Sequence, residues 1–183
     1  MQMLSEQRHE DADDTTRAAG SKTLGGCFLR DYWLNPQDDE KNHVIVRTGT
    51  EAQHSGGMIL LNKYPYSNGH LLVCLGDGRP RLLDYDEKQR AELWSLTDLA
   101  VDLVERALNP QGVNVGVNQG MAAGAGVPEH VHVHVVPRWS GDVNFMTAVA
   151  QIRVIPSALE AMAMRMKEVW GEVGGAMRTT AHL

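Results

Sequence analysis

Between residues 130 and 136 the chain reads His-Val-His-Val-His-Val-Val. A polar residue alternating with a β-branched one suits a strand, whose side chains alternate faces with period two, and does not suit the 3.6 period of a helix. A strand is therefore expected from Glu129 to about Arg138. Its three imidazoles line one face, with neighbouring rings roughly 6 to 7 Å apart, while Val131, Val133 and Val135 pack behind them.

Other elements follow from the same kind of patterning. His43 to Thr48 alternates around Val44, Ile45 and Val46, Gly57 to Asn62 contains Met-Ile-Leu-Leu, and Leu71 to Leu75 is apolar throughout; each reads as a strand. One long helix is expected from about Asp86 to Leu108, with Leu93, Leu96, Ala100, Leu103, Val104 and Ala107 spaced by threes and fours along one face. Asp84 and Glu87 have the spacing of a capping box, and Asn109-Pro110 stops the helix. Val113, Val115 and Val117 mark a further strand. A last helix opens at Pro156-Ser157, with Glu160 placed to complete a cap, and ends near Trp170-Gly171. The segment Cys27 to Trp33 is apolar enough to pack. Together these predict an α+β domain with a mainly antiparallel sheet. Residues 1–23, with five acids and three bases and no periodicity, read as a flexible tail, leaving 24–183 as a single domain.

Composition narrows the partners. The net charge of −6 carries no basic field toward nucleic acid. No apolar run nears the roughly 18 to 20 residues of a membrane span. The first residues lack the apolar centre of a secretory signal, and two cysteines make no disulfide framework, so the expected setting is cytoplasmic.

Three readings compete for the histidine strand. It is a solvated face; or a metal site, which His-x-His can seed, although three histidines on one straight strand surround a tetrahedral ion badly; or a nucleophilic site at phosphorus, where a neutral imidazole attacks while its neighbours hold phosphate oxygens. The third also accounts for the loop Gly120 to Pro128, which is rich in Gly and Ala and lets backbone N–H groups approach an anion. That loop is no Walker loop, for Gly-Lys-Ser/Thr and a following helix are missing.

The run His130 to Val136 resembles the signature of the histidine triad family, and the resemblance extends over roughly residues 27 to 150. Leu61-Asn62-Lys63-Tyr64-Pro65 with Asn68-Gly69-His70-Leu71-Leu72-Val73 is similar to the family's nucleoside-binding strand pair. Pro137-Arg138-Trp139 and Gly141-Asp142-Val143-Asn144-Phe145-Met146 resemble its dinucleoside polyphosphate branch, which includes diadenosine tetraphosphate phosphorylases and fragile histidine triad hydrolases. The resemblance implies that His132 attacks the α-phosphorus, that His134 touches phosphate oxygens and that His130 orients the strand or helps the leaving group. It places Asn62 at the ribose, Asn118 near the phosphates and His70 beside the sugar or in a buried structural role. Gly124, Gly126 and Arg138 are candidates to hold phosphate. Ile45 and Leu60 are either core or walls around the base.

It further implies a homodimer paired through the long helix and its strand, with Trp94 an interface anchor or core, and a nucleotide substrate bringing any Mg²⁺ with it; no other cofactor is expected. Two features depart from the family. Gly126-Val127-Pro128 stands where Gln and then Ser or Thr are usual, and Cys27-Phe28-Leu29-Arg30 has one cysteine of the Cys-x-x-Cys zinc pair many bacterial members carry, so no metal ligand is assigned. The expected activity is nucleotidyl transfer from a dinucleoside polyphosphate to orthophosphate or water. The alternatives are a non-catalytic nucleotide sensor and a metal-dependent enzyme using the histidine strand.

Overall fold

The computed structural model describes residues 27–53, 55–142 and 158–180. The tail expected over 1–23, the Pro156-Ser157 helix start and the stretch from Val143 to Met146 lie outside them. The elements are α1 (Phe28–Leu34), β1 (Val44–Thr50), β2 (Ser55–Leu61), β3 (Leu71–Leu75), α2 (Glu87–Leu108), β4 (Gly112–Val117), β5 (Val133–Arg138) and α3 (Leu159–Thr180). The strands form one sheet in the order β1-β2-β3-β5-β4, every neighbouring pair antiparallel. This is the α+β fold expected from the patterning.

Alternation along the strands splits the core into two layers. Ile59, Leu61, Leu71, Val73, Leu75, Val133 and Val135 face α2 and α3, joining Leu93, Ala100, Leu103 and Met166. Val44, Met58, Leu60, Leu72 and Cys74 face the other way, against Leu29 and Trp33 of α1. A register shift between Val44 and Val46 lets both Ile45 and Val46 enter the α2 layer. Ile45 and Leu60 are thus buried in different layers and do not wall one pocket.

Three element ends differ from those expected. The capping box of α2 is made by Asp86 and Gln89, each side chain bonded to the other's backbone N–H. Asp84 sits one turn earlier, in a 3-10 turn, and pairs with Arg81. Strand β5 begins at Val133 rather than Glu129, because the Val131 N–H goes to Arg79 O and the His130 N–H closes a turn on Val127 O. Helix α3 runs on past Trp170-Gly171 to Thr180. Val169 and Val173 continue its apolar stripe, and this packing outweighs the roughly 1 kcal/mol that Gly171 costs a helix. The expected end of α2 holds: Asn109 adopts the left-handed conformation and Pro110 follows. Trp94 is 46% exposed, so it is not core.

Candidate active site

The same alternation that buries Val131, Val133 and Val135 against α2 and α3 puts the histidines on the α1 side, where His134 lies directly opposite Leu72 of β3. The rings of His132 and His134 are 4.9 Å apart between centroids, closer than an ideal strand spacing. His130, in the turn before β5, bends away from them: its Nε2 lies 2.8 Å from Leu75 O and its Nδ1 3.1 Å from Cys27 Sγ.

Hydrogen bonds assign the tautomers. A carbonyl only accepts, so His132 carries its proton on Nδ1, which donates to His130 O at 2.9 Å, and its Nε2 holds a lone pair. His70 Nδ1 accepts from the Tyr66 N–H at 3.1 Å and from the Asn62 side-chain amide at 3.2 Å. Its proton therefore sits on Nε2 and donates to His134 Nδ1 at 3.0 Å, which leaves His134 with an N–H at Nε2. One neighbour thus offers a lone pair and the other a donor.

Burial keeps these rings neutral. Loss of water lowers His70 to about 3 and His134 to about 4, with nearby histidines adding to both. His132 and His130 are lowered by burial as well, opposed in each by the hydrogen bond to a carbonyl. All four lie below the ordinary imidazole value and are unprotonated at neutral pH.

The other expected residues fall at unequal distances from this centre. Asn62 is joined to His70, and its Oδ1 accepts the Tyr64 N–H. Asn118 lines a shallow groove of about 150 Å³ together with His134, Tyr66, Asn114, Gly116 and Val136. Arg138 lies two residues beyond Val136, held by the Asp142 carboxylate and by Asn114 Oδ1. In the glycine-rich loop the Gly124 N–H closes a turn onto Met121 O, and the N–H groups of Ala123 and Ala125 go to Gly120 O. Gly124 is therefore no donor toward the histidines, while Gly126 is open on its Cα side.

Two residues at this centre carry no expected role. Tyr66, 70% exposed, lies against His70 at 4.8 Å and His134 at 6.0 Å between centroids. Cys27, at the start of α1 and 103 residues earlier in the chain, meets His130 on the α1 side of the sheet; the sequence marked it only as half of a Cys-x-x-Cys pair. A larger cavity of about 280 Å³ sits at the other end of β3, among Arg30, Glu51, Asp77 and Arg79. Its arginines are paired with those acids and it contains none of the triad histidines.

Zinc does not fit here. Cys27 and His130 supply two donors, whereas the position a second cysteine would take is Arg30, whose guanidinium bonds Gly76 O and Glu51. Among the described residues no group of three or more His, Cys, Asp or Glu stands ready for a metal.

Residues 52–141 match the model of the HIT domain. The chain is 40% identical over 135 residues to an AP-4-A phosphorylase of Mycobacterium tuberculosis, covering 74% of this chain and 67% of the relative. It is 33% identical over 103 residues to an asymmetrical bis(5'-nucleosyl)-tetraphosphatase of Schizosaccharomyces pombe, covering 56% of this chain and 53% of that one. Among solved structures, the NitFhit protein of Caenorhabditis elegans aligns with a TM-score of 0.53 at 27% identity, over 68% of this chain and 26% of its own. A Zn-bound histidine triad family protein of Mycobacterium smegmatis has the same fold, with a TM-score of 0.63 at 23% identity over 82% of this chain and 97% of its own. The chain belongs to the HIT domain family, in its dinucleoside-polyphosphate branch, and is an enzyme of that family.

Proposed function

We propose that this enzyme transfers a nucleoside monophosphate from a dinucleoside polyphosphate to orthophosphate, through a nucleotidyl-His132 intermediate. The observation that carries the reading is the opposed pair of tautomers: a lone pair on His132 Nε2 beside an N–H on His134 Nε2. In the first step the lone pair attacks the α-phosphorus. The new P–N bond forms as the bridging P–O bond breaks, and the nucleoside polyphosphate leaves with that electron pair. His132 becomes an imidazolium, and its Nδ1–H bond to His130 O strengthens as the charge grows. His134 donates its Nε2–H to a phosphoryl oxygen, where negative charge spreads. In the second step an orthophosphate oxygen attacks phosphorus, the P–N bond breaks, and the pair returns to Nε2.

Asn118, which lines the groove beside His134, is read as a phosphate ligand, and Asn62 is assigned to the ribose. Gly126 retains a role in phosphate approach; Arg138, its charge paired with Asp142, acts on the groove by holding Asn114. The identity with an AP-4-A phosphorylase supports orthophosphate over water as acceptor. A homodimer paired through α2 and its strand belongs to the same reading, with Trp94 on α2 as its candidate anchor. Residues 24–183 are read as one domain, since every described element packs on one sheet.

The deciding assay supplies diadenosine tetraphosphate and labelled orthophosphate. Phosphorolysis puts label into ADP with ATP as the other product, whereas AMP and ATP without incorporation would make the enzyme a hydrolase. No turnover with tightly retained nucleotide would make it a sensor.

A further inference from the structure

We propose that Cys27 is a positioning residue for the nucleophile, acting through His130; this rests on the reading of His132 as the group that attacks. His130 is 1% exposed, so solvent does not reach its ring. Its Nε2–H is spent on Leu75 O, which leaves Nδ1 a buried acceptor, and the Cys27 thiol at 3.1 Å is the donor that satisfies it. Burial raises the thiol above its ordinary value, so the proton stays on sulfur. Gly78 leaves the ring no room on another side: a Cβ there would stand 2.7 Å from His130 Nδ1.

Both nitrogens of His130 are thus pinned, and with them the carbonyl of the same residue, which receives the His132 Nδ1–H. That carbonyl sets which nitrogen of His132 bears the lone pair, and it faces the positive charge of the nucleotidyl-imidazolium. A loosened His130 therefore weakens the covalent state more than the bound substrate, which is a loss in kcat rather than in KM. Zinc would use the same sulfur and nitrogen; here Arg30 excludes it and a single hydrogen bond takes its place.

The test compares Cys27→Val, which keeps volume without a donor, with Cys27→Ser, which keeps a donor. The valine variant is expected to lose about tenfold in kcat with KM within about twofold, and serine to recover most of the loss. ¹⁵N-histidine NMR of the unaltered full chain reads the bond directly: His130 Nδ1 should resonate as a hydrogen-bonded acceptor, Cys27→Val should move it toward the free acceptor value, and Cys27→Ser should restore it. Wild-type kcat in the valine variant, serine as impaired as valine, or an unbonded Nδ1 in the wild type would each overturn the proposal. If Cys27→Val does not fold, the wild-type spectrum and the serine variant decide. Failure to trap nucleotide on His132 would defeat the nucleophile reading instead, leaving the NMR result to judge the Cys27 bond by itself.

Discussion

The two faces of the segment 130–136, which runs into β5, carry different work. Toward α2 and α3, Val131, Val133 and Val135 are buried in the apolar cluster. Toward α1, His132 is buried and His134 half-buried at the edge of the groove, yet each nitrogen facing the protein has a partner. Among the described residues no buried side-chain nitrogen or oxygen lacks one. Period two thus lets one strand separate stability from chemistry, and a substitution should hurt one or the other according to its parity.

The largest effect is expected at the lone pair. His132→Ala should lower kcat by roughly 10³-fold or more while nucleotide affinity changes far less, since the ribose and phosphate contacts remain; steady-state kinetics with equilibrium binding checks this. His70→Ala should act on both accounts, because the His134 tautomer loses its donor and the Asn62 amide and Tyr66 N–H lose their acceptor. A fall in kcat of about 10- to 100-fold and a stability loss of about 2 kcal/mol are expected, read by kinetics and urea unfolding. Val133→Ala sharpens the contrast: about 2 kcal/mol of stability should go while kcat of the folded enzyme stays the same. A valine variant that loses kcat without losing stability would break the division between the faces.

The smallest effect concerns pH. The folded imidazoles are lowered below their unfolded value, so below about pH 6.5 the unfolded chain binds protons that the folded one refuses, and stability drains away as pH falls toward the folded values. Activity should follow the same sign. His132 must keep its lone pair to attack, and burial lowers it, so the acid limb of kcat/KM should lie below the ordinary imidazole value; a limb at or above 6.5 would mean the site is wetter than its geometry.

Much of this was legible in the chain because it rests on local periodicity. The alternation at 130–136 located the histidine face, and the three-four spacing from Leu93 to Val104 located α2. The rest depended on contacts that no local pattern encodes. His130 follows the alternation in sequence, but the turn onto Val127 and the bond from Val131 to Arg79 take it off the strand. Asp84 and Glu87 have the spacing of a cap, yet Asp86 and Gln89 have it too, and only the helix start chooses between them. Gly124 is flexible enough to serve an anion, and its N–H is instead consumed by the turn. Tyr66 stood in view without a role and Cys27 only as half of a Cys-x-x-Cys pair, since each acquires its contact only by meeting a histidine from another strand or turn.

The central claim is that His132 carries the nucleotide between the two steps. Diadenosine tetraphosphate labelled at the α-phosphorus, mixed with excess enzyme without orthophosphate and quenched in base, should leave label on the peptide containing His132. That label should be stable to base, labile to acid and lost in milliseconds to seconds when orthophosphate is added, with ADP as the product. Label on any other residue, or complete turnover with no labelled peptide at any time point, would contradict the account.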